Sequence, residues 1–183
     1  MALSPAEAQS ALKDIEKTEN RAAASQHGRM AAPHLIIWGV IWAIGYLIGA
    51  IRPGISWIWI PLIIGGVIGS YIQDRRVSAG KVSGFSWRYG ASFAVIFVFI
   101  FALMAIMRPT EVNQIGAFYP LVIGLYYTFA GIWTKGWRML PLGLAMMALT
   151  VTGYFFLPDY FLYWMAAVGG GGLILGGLWM RSV

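Results

Sequence analysis

Apolar residues fall in six long runs: His34–Ile51, Ser56–Ile72, Tyr89–Met107, Ile115–Thr134, Met139–Leu157 and Tyr160–Met180. A helix crossing a ~30 Å hydrocarbon core needs roughly 17–25 residues, and each run has that reach. The pattern predicts an all-α polytopic membrane bundle of six transmembrane helices. A polar stretch with helical spacing precedes the first run. Over residues 4–24, Ser4, Pro5 and Glu7 suit a capped helix start. Ala8, Leu12, Ile15 and Ala22 share one face, and Asp14, Glu16, Lys17, Glu19 and Arg21 fill the rest. That stripe is too thin to insert into a bilayer, so it would rest on the bundle or on a partner. Gln26-His27-Gly28 is expected to end the helix and Pro33 to open the first span. The chain thus divides into a cytosolic amphipathic helix and linker, residues 1–33, and a transmembrane bundle, residues 34–183.

Composition removes the soluble alternatives. The 183 residues are 59% hydrophobic and only 11% charged, with a mean hydropathy of +0.70. A soluble domain carries about 25% charged residues. A soluble enzyme, a secreted disulfide scaffold and a nucleic-acid-binding domain are excluded. The chain has no cysteine, which removes thiolate metal sites and thiol catalysis. An apolar run beginning only at His34 lies too far from the start for a cleavable signal.

The net charge of +6 becomes topology once mapped. Lys13, Lys17, Arg21 and Arg29 precede span one, and Arg75, Arg76, Lys81 and Arg88 separate spans two and three. Lys135 and Arg138 separate spans four and five, and Arg181 follows span six. Of the 13 basic residues, only Arg52 and Arg108 fall on the other side. Short loops rich in Lys and Arg stay cytoplasmic. Both termini are therefore expected inside, in a multi-pass protein of the cell inner membrane. The basic residues serve the bilayer and need no nucleic acid.

The outer span ends repeat. Span one ends Arg52-Pro53-Gly54, span three Arg108-Pro109-Thr110 and span five Leu157-Pro158-Asp159. This reads as three helical hairpins in one orientation. Gly45/Gly49, Gly65/Gly69 and Gly172/Gly176 are G-x-x-x-G pairs, the signature of close helix contact in lipid. The run Gly169–Gly172 is read first as packing and second as a hinge. Trp57, Trp59, Phe118, Tyr119, Tyr154, Tyr160, Tyr163 and Trp164 gather near the outer boundary, and Trp87, Trp133, Trp137 and Trp179 near the inner one, as anchors.

Candidate chemistry is sparse. The six cores contain no Asp, Glu or Lys, the groups that usually mark proton relays and ion paths in membranes. His27 and His34 both lie at the cytoplasmic edge and lack further ligands for zinc or haem, so His34 is read as structural. Met104, Met107, Met146 and Met147 are read as flexible packing. No catalytic, cofactor-binding or metal residue is assigned. One polar constellation stands out: Arg52 and Arg108, with Glu111, Asn113, Gln114 and Asp159 in neighbouring loops. Arg52, Arg108, Glu111 and Asp159 form the candidate outer-face site, for an anion or for mutual ion pairs. Arginine at a helix end also has a plain role, complementing the dipole and snorkelling to water. On the inner side, Gln73, Asp74, Arg75 and Arg76 read as a solvated loop.

Three hairpins are also the outline of mitochondrial carriers, but their P-x-[DE]-x-x-[KR] motif is absent, since Val112, Asn113 and Gln114 follow Pro109-Thr110-Glu111. Substrate-binding subunits of energy-coupling-factor vitamin transporters are similar in size and span number, without a shared motif. Ala11-Leu12-Lys13-Asp14-Ile15-Glu16, leading to Pro33-His34-Leu35-Ile36-Ile37-Trp38-Gly39, resembles the start of six-span bacterial inner-membrane proteins. That resemblance implies the six-span fold and brings no assigned activity. The expected function is non-enzymatic: an accessory or regulatory membrane component whose N-terminal helix docks a cytosolic or membrane protein partner. The alternative is a small-molecule transporter or substrate-binding membrane subunit.

Overall fold

The structure is a computed structural model and describes residues 5–78, 87–134 and 137–182. It is all-helical, 91% helix with no strands among the described residues. The elements are α1 (Pro5–Ile51), α2 (Trp59–Ser78), α3 (Trp87–Met107), α4 (Val112–Trp133), α5 (Met139–Phe156), α6 (Phe161–Met165) and α7 (Gly171–Arg181). A π-helical turn, Ala166–Gly170, joins α6 to α7 so that the three run as one rod. Among the described residues, five segments are long and apolar enough to cross a membrane: Met30–Ile51, Ser56–Arg76, Val112–Trp133, Met139–Phe156 and Pro158–Arg181. Within α3, Ala94–Met107 is a shorter apolar stretch.

α1 corrects the expected boundary. It is one helix of 47 residues, with no end at Gln26-His27-Gly28 and with Pro33 inside it. Proline there removes one donor, from the carbonyl of Arg29, and a helix interior glycine costs only about 1 kcal/mol. Packing around the proline outweighs this: Ala32 and Leu35 are both fully buried. The expected Ser4–Glu7 capping box lies outside the described residues, as do Lys81 and Lys135. Leu12 and Ile15 are exposed, so the amphipathic stripe does not lie against the bundle.

Among the described residues, the helices pack in the order α2, α1, α6–α7, α5, α4, and α3 joins none of the close pairs. Glycine sets the closest approaches. A methyl group on Gly170 would stand 2.5 Å from the Ala43 amide nitrogen, and one on Gly39 would stand 2.8 Å from the Gly170 carbonyl oxygen. On the same two helices, Gly177 meets Ala32 and Ile36. Gly124 and Gly131 of α4 likewise sit against Gly143 and Leu140 of α5. The expected G-x-x-x-G pairs need correction. Gly45 lies under the Trp59 ring and Gly176 against Leu142, whereas added carbons on Gly65 and Gly172 would meet nothing within 4 Å. The neighbouring Gly66, one helical step from Gly65, is the one that faces Trp38 and Ile41.

The interior is filled by Trp42, Tyr46, Phe161, Met165, Leu173 and Met180. Among the described residues, two polar ones are buried, Thr128 and Thr150. Each donates its hydroxyl to a carbonyl one turn back in its own helix, Gly124 at 2.8 Å and Met146 at 2.7 Å. That satisfies them without a partner helix, as non-aqueous surroundings require. The outside is apolar: Phe101, Ile106, Trp133, Phe155 and Phe156 are each at least 70% exposed. Such a surface is far larger than a soluble monomer tolerates.

Candidate functional site

Polar groups gather at the two ends of the bundle, and side-chain contacts fix which groups share an end. α7 runs antiparallel to α1, with Gly170 beside Ala43 and Gly177 beside Ala32. Ile37 of α1 lies against Gly69 of α2, and His34 Nε2 is 2.9 Å from Asp74 Oδ1. The His34, Asp74 and Trp179 ends therefore lie together, where α1 leaves the bundle.

At this end Gln73, Asp74, Arg75 and Arg76 belong to α2 and are not a loop. Asp74 and His34 are each about one-third exposed, and they link the first two helices across 40 positions. The reading of His34 as structural fits this contact, whereas Asp74, expected in a solvated loop, is its partner. Arg75 donates to the Tyr71 hydroxyl at 2.9 Å, one turn back. Ser70, one turn before Asp74, has a buried hydroxyl with no hydrogen-bond partner among the described residues.

Arg138 makes the other construction at this end. Its guanidinium donates to the Trp179 carbonyl at 2.6 Å, tying the α4–α5 corner to the end of α7. The same guanidinium lies 4.8 Å from the Trp179 ring centroid and 5.8 Å from that of Trp137. The two indoles meet edge to face, 6.0 Å apart. Sequence placed these tryptophans at a boundary but gave no sign that one arginine joins both.

At the opposite end, Arg52, Arg108, Glu111 and Asp159 are all exposed. No ion pair joins any of the four to another described residue. The two Arg-Pro corners turn differently. Arg108 itself takes the left-handed conformation, φ 44°, whereas after Arg52 it is Gly54 that does so, φ 97°. Glycine adopts that region freely and arginine at a cost of roughly 1–2 kcal/mol. Asn113 donates to the Pro158 carbonyl at 2.8 Å, which brings the start of α4 to the turn carrying Asp159.

No group of three or more potential metal-ligating His, Cys, Asp or Glu occurs among the described residues. Comparison with family models, with curated proteins and with solved structures finds no match for this chain.

Proposed function

We propose that the chain is a six-span protein of the cell inner membrane with both termini in the cytoplasm, acting as a non-enzymatic accessory or regulatory component. The carrying observation is α1, a single helix whose second half lies in the bundle and whose first half extends beyond it. Residues 5–29 would reach roughly 37 Å at 1.5 Å per residue. They present Leu12 and Ile15 to solvent beside Lys13, Asp14, Lys17 and Glu19. A charged helix with two exposed aliphatics suits a protein partner, and a continuous helix transmits the load to span one.

The sixth span is α3, whose 21 residues match the bilayer in length. Orientation is supported by the excess of Lys and Arg on the side carrying the projection. The three Pro-containing corners support three consecutive hairpins, although the closest helix pairing joins α4 to α5 across successive hairpins.

Deleting residues 1–24 tests the docking role. The expected result is a protein that still inserts in membranes and loses its co-purifying partner. A truncated chain that keeps the same partners would remove the docking role.

A further inference from the structure

The construction around Arg138 has unused capacity. An arginine carries five N–H donors in one plane, and here one nitrogen serves the Trp179 carbonyl while two indoles flank the guanidinium. Arg181, two residues past Trp179, is exposed and has no partner among the described residues. Two cations from distant parts of the chain thus stand at one helix end.

Neither arginine is paired with a side-chain carboxylate among the described residues. The chain has seven acidic residues. Glu111 and Asp159 belong to the opposite end, Asp74 is held by His34, and the rest lie within residues 7–19 of the projection. The C-terminus of α7 contributes about half a negative charge, which two arginines exceed. Below the cations the surface turns apolar: Leu175, one turn before Trp179, is 67% exposed, and Leu178 is 50% exposed.

We infer that Arg138, Arg181, Trp137 and Trp179 form a binding site for the phosphate headgroup of an anionic phospholipid, with its acyl chains lying along Leu175 and Leu178. Guanidinium recognises phosphate through paired hydrogen bonds, and its planar fork is held ready by the flanking indoles. Tryptophan favours the depth at which headgroups sit. The order cation, indole, aliphatic along α7 matches the order phosphate, glycerol, chain in a lipid. A bound headgroup would also bridge the α4–α5 corner to α7, adding to the Arg138–Trp179 hydrogen bond that joins them. The inference rests on the chain residing in a bilayer.

The test is native mass spectrometry of the delipidated full chain, titrated with phosphatidylglycerol or phosphatidylcholine. The intact protein should hold phosphatidylglycerol roughly tenfold more tightly, the size of one charge-assisted contact. Arg138→Gln with Arg181→Gln should abolish the preference, and Arg52→Gln with Arg108→Gln should leave it unchanged. If loss of the Trp179 contact prevents folding, Arg181→Gln alone decides, because it breaks no described contact; it should lower the preference several-fold. Equal affinity for both lipids, or an undiminished preference in the Arg181 variant, overturns the inference. Displacement of the lipid by millimolar glycerol 3-phosphate would assign the site to a soluble anion and overturn it as well. Release of the protein from membranes by alkaline carbonate would instead defeat the bilayer assignment, so the two failures are separable.

Discussion

The Tyr46 hydroxyl donates to the carbonyl of Gly116 at 2.6 Å, and that carbonyl is the one left without its helical partner by Pro120. In α4 the acceptor at position 116 would ordinarily receive the N–H of residue 120, which proline lacks. Tyr46 is buried, with the rings of Trp42 and Trp59 edge-on to it at 6.0 and 5.2 Å. One side chain of α1 thus supplies a donor that α4 cannot supply to itself. Tyr46→Phe should destabilise the bundle by about 1 kcal/mol, the usual size of an interhelical hydrogen bond in lipid. In a Pro120→Ala background the same change should cost much less, because alanine brings its own backbone N–H. A double-mutant cycle on denaturation in mixed micelles measures this, and equal costs in both backgrounds would refute the relationship.

The run Gly169–Gly172 divides into a packed half and an open half. Gly170→Ala should cost roughly 1–3 kcal/mol, the range for overpacking a close contact, because the new methyl meets Ala43 backbone. Gly172→Ala should be neutral or stabilising, since its methyl meets nothing. Thermal unfolding of the two variants in the same detergent decides, and the idea fails if their order is reversed.

Continuity of α1 is measurable as a distance. The chain has no cysteine, so spin labels at Leu12→Cys and Val40→Cys would be unique. One unbroken helix places them about 42 Å apart in a narrow distribution. A broad distribution centred well below that would show a joint near Gly28.

The His34–Asp74 contact should be a modest fastener. Both groups are about one-third exposed, and pairs open to solvent contribute about 0–1 kcal/mol. His34→Ala, Asp74→Ala and the double variant should give a favourable coupling within that range. A coupling of zero would mean that α1 and α2 are held by packing alone, through the glycine contacts and the Tyr46–Trp59 ring pair.

The helices were legible in the sequence because run length and hydropathy depend on neither partner nor register. Continuity through Gly28 and Pro33 was not. Both are local breakers, and what overrides them is burial of Ala32 and Leu35 against a helix nearly 150 residues later. Glycine spacing showed that helices pack closely without showing which face is turned inward, so it pointed to Gly65 in place of Gly66. At the end where α1 leaves the bundle, the partners of His34 and Trp179 lie about 40 positions away, beyond any local pattern. Pro120 was not singled out, although a proline inside a span leaves an acceptor four residues earlier without its helical donor; the donor, Tyr46, lies 70 positions away. The polar residues of the opposite end were found, but their side chains form no ion pair with one another.

The π-helical turn has a consequence for how the chain tolerates loss of a residue. Phe161 and Met165 before the turn, Gly170 at its end, and Leu173, Gly177 and Met180 beyond it are all buried. A plain α-helix advancing 100° per residue would carry the later group off the face of the first, and the widened turn absorbs one surplus position. Removing a single residue within Ala166–Gly170 would therefore let the turn relax to α-helix with both faces still aligned. The same deletion a few residues later would swing Gly177 and Met180 away from α1. The last span is thus a helix with one spare residue, stored where the glycines begin.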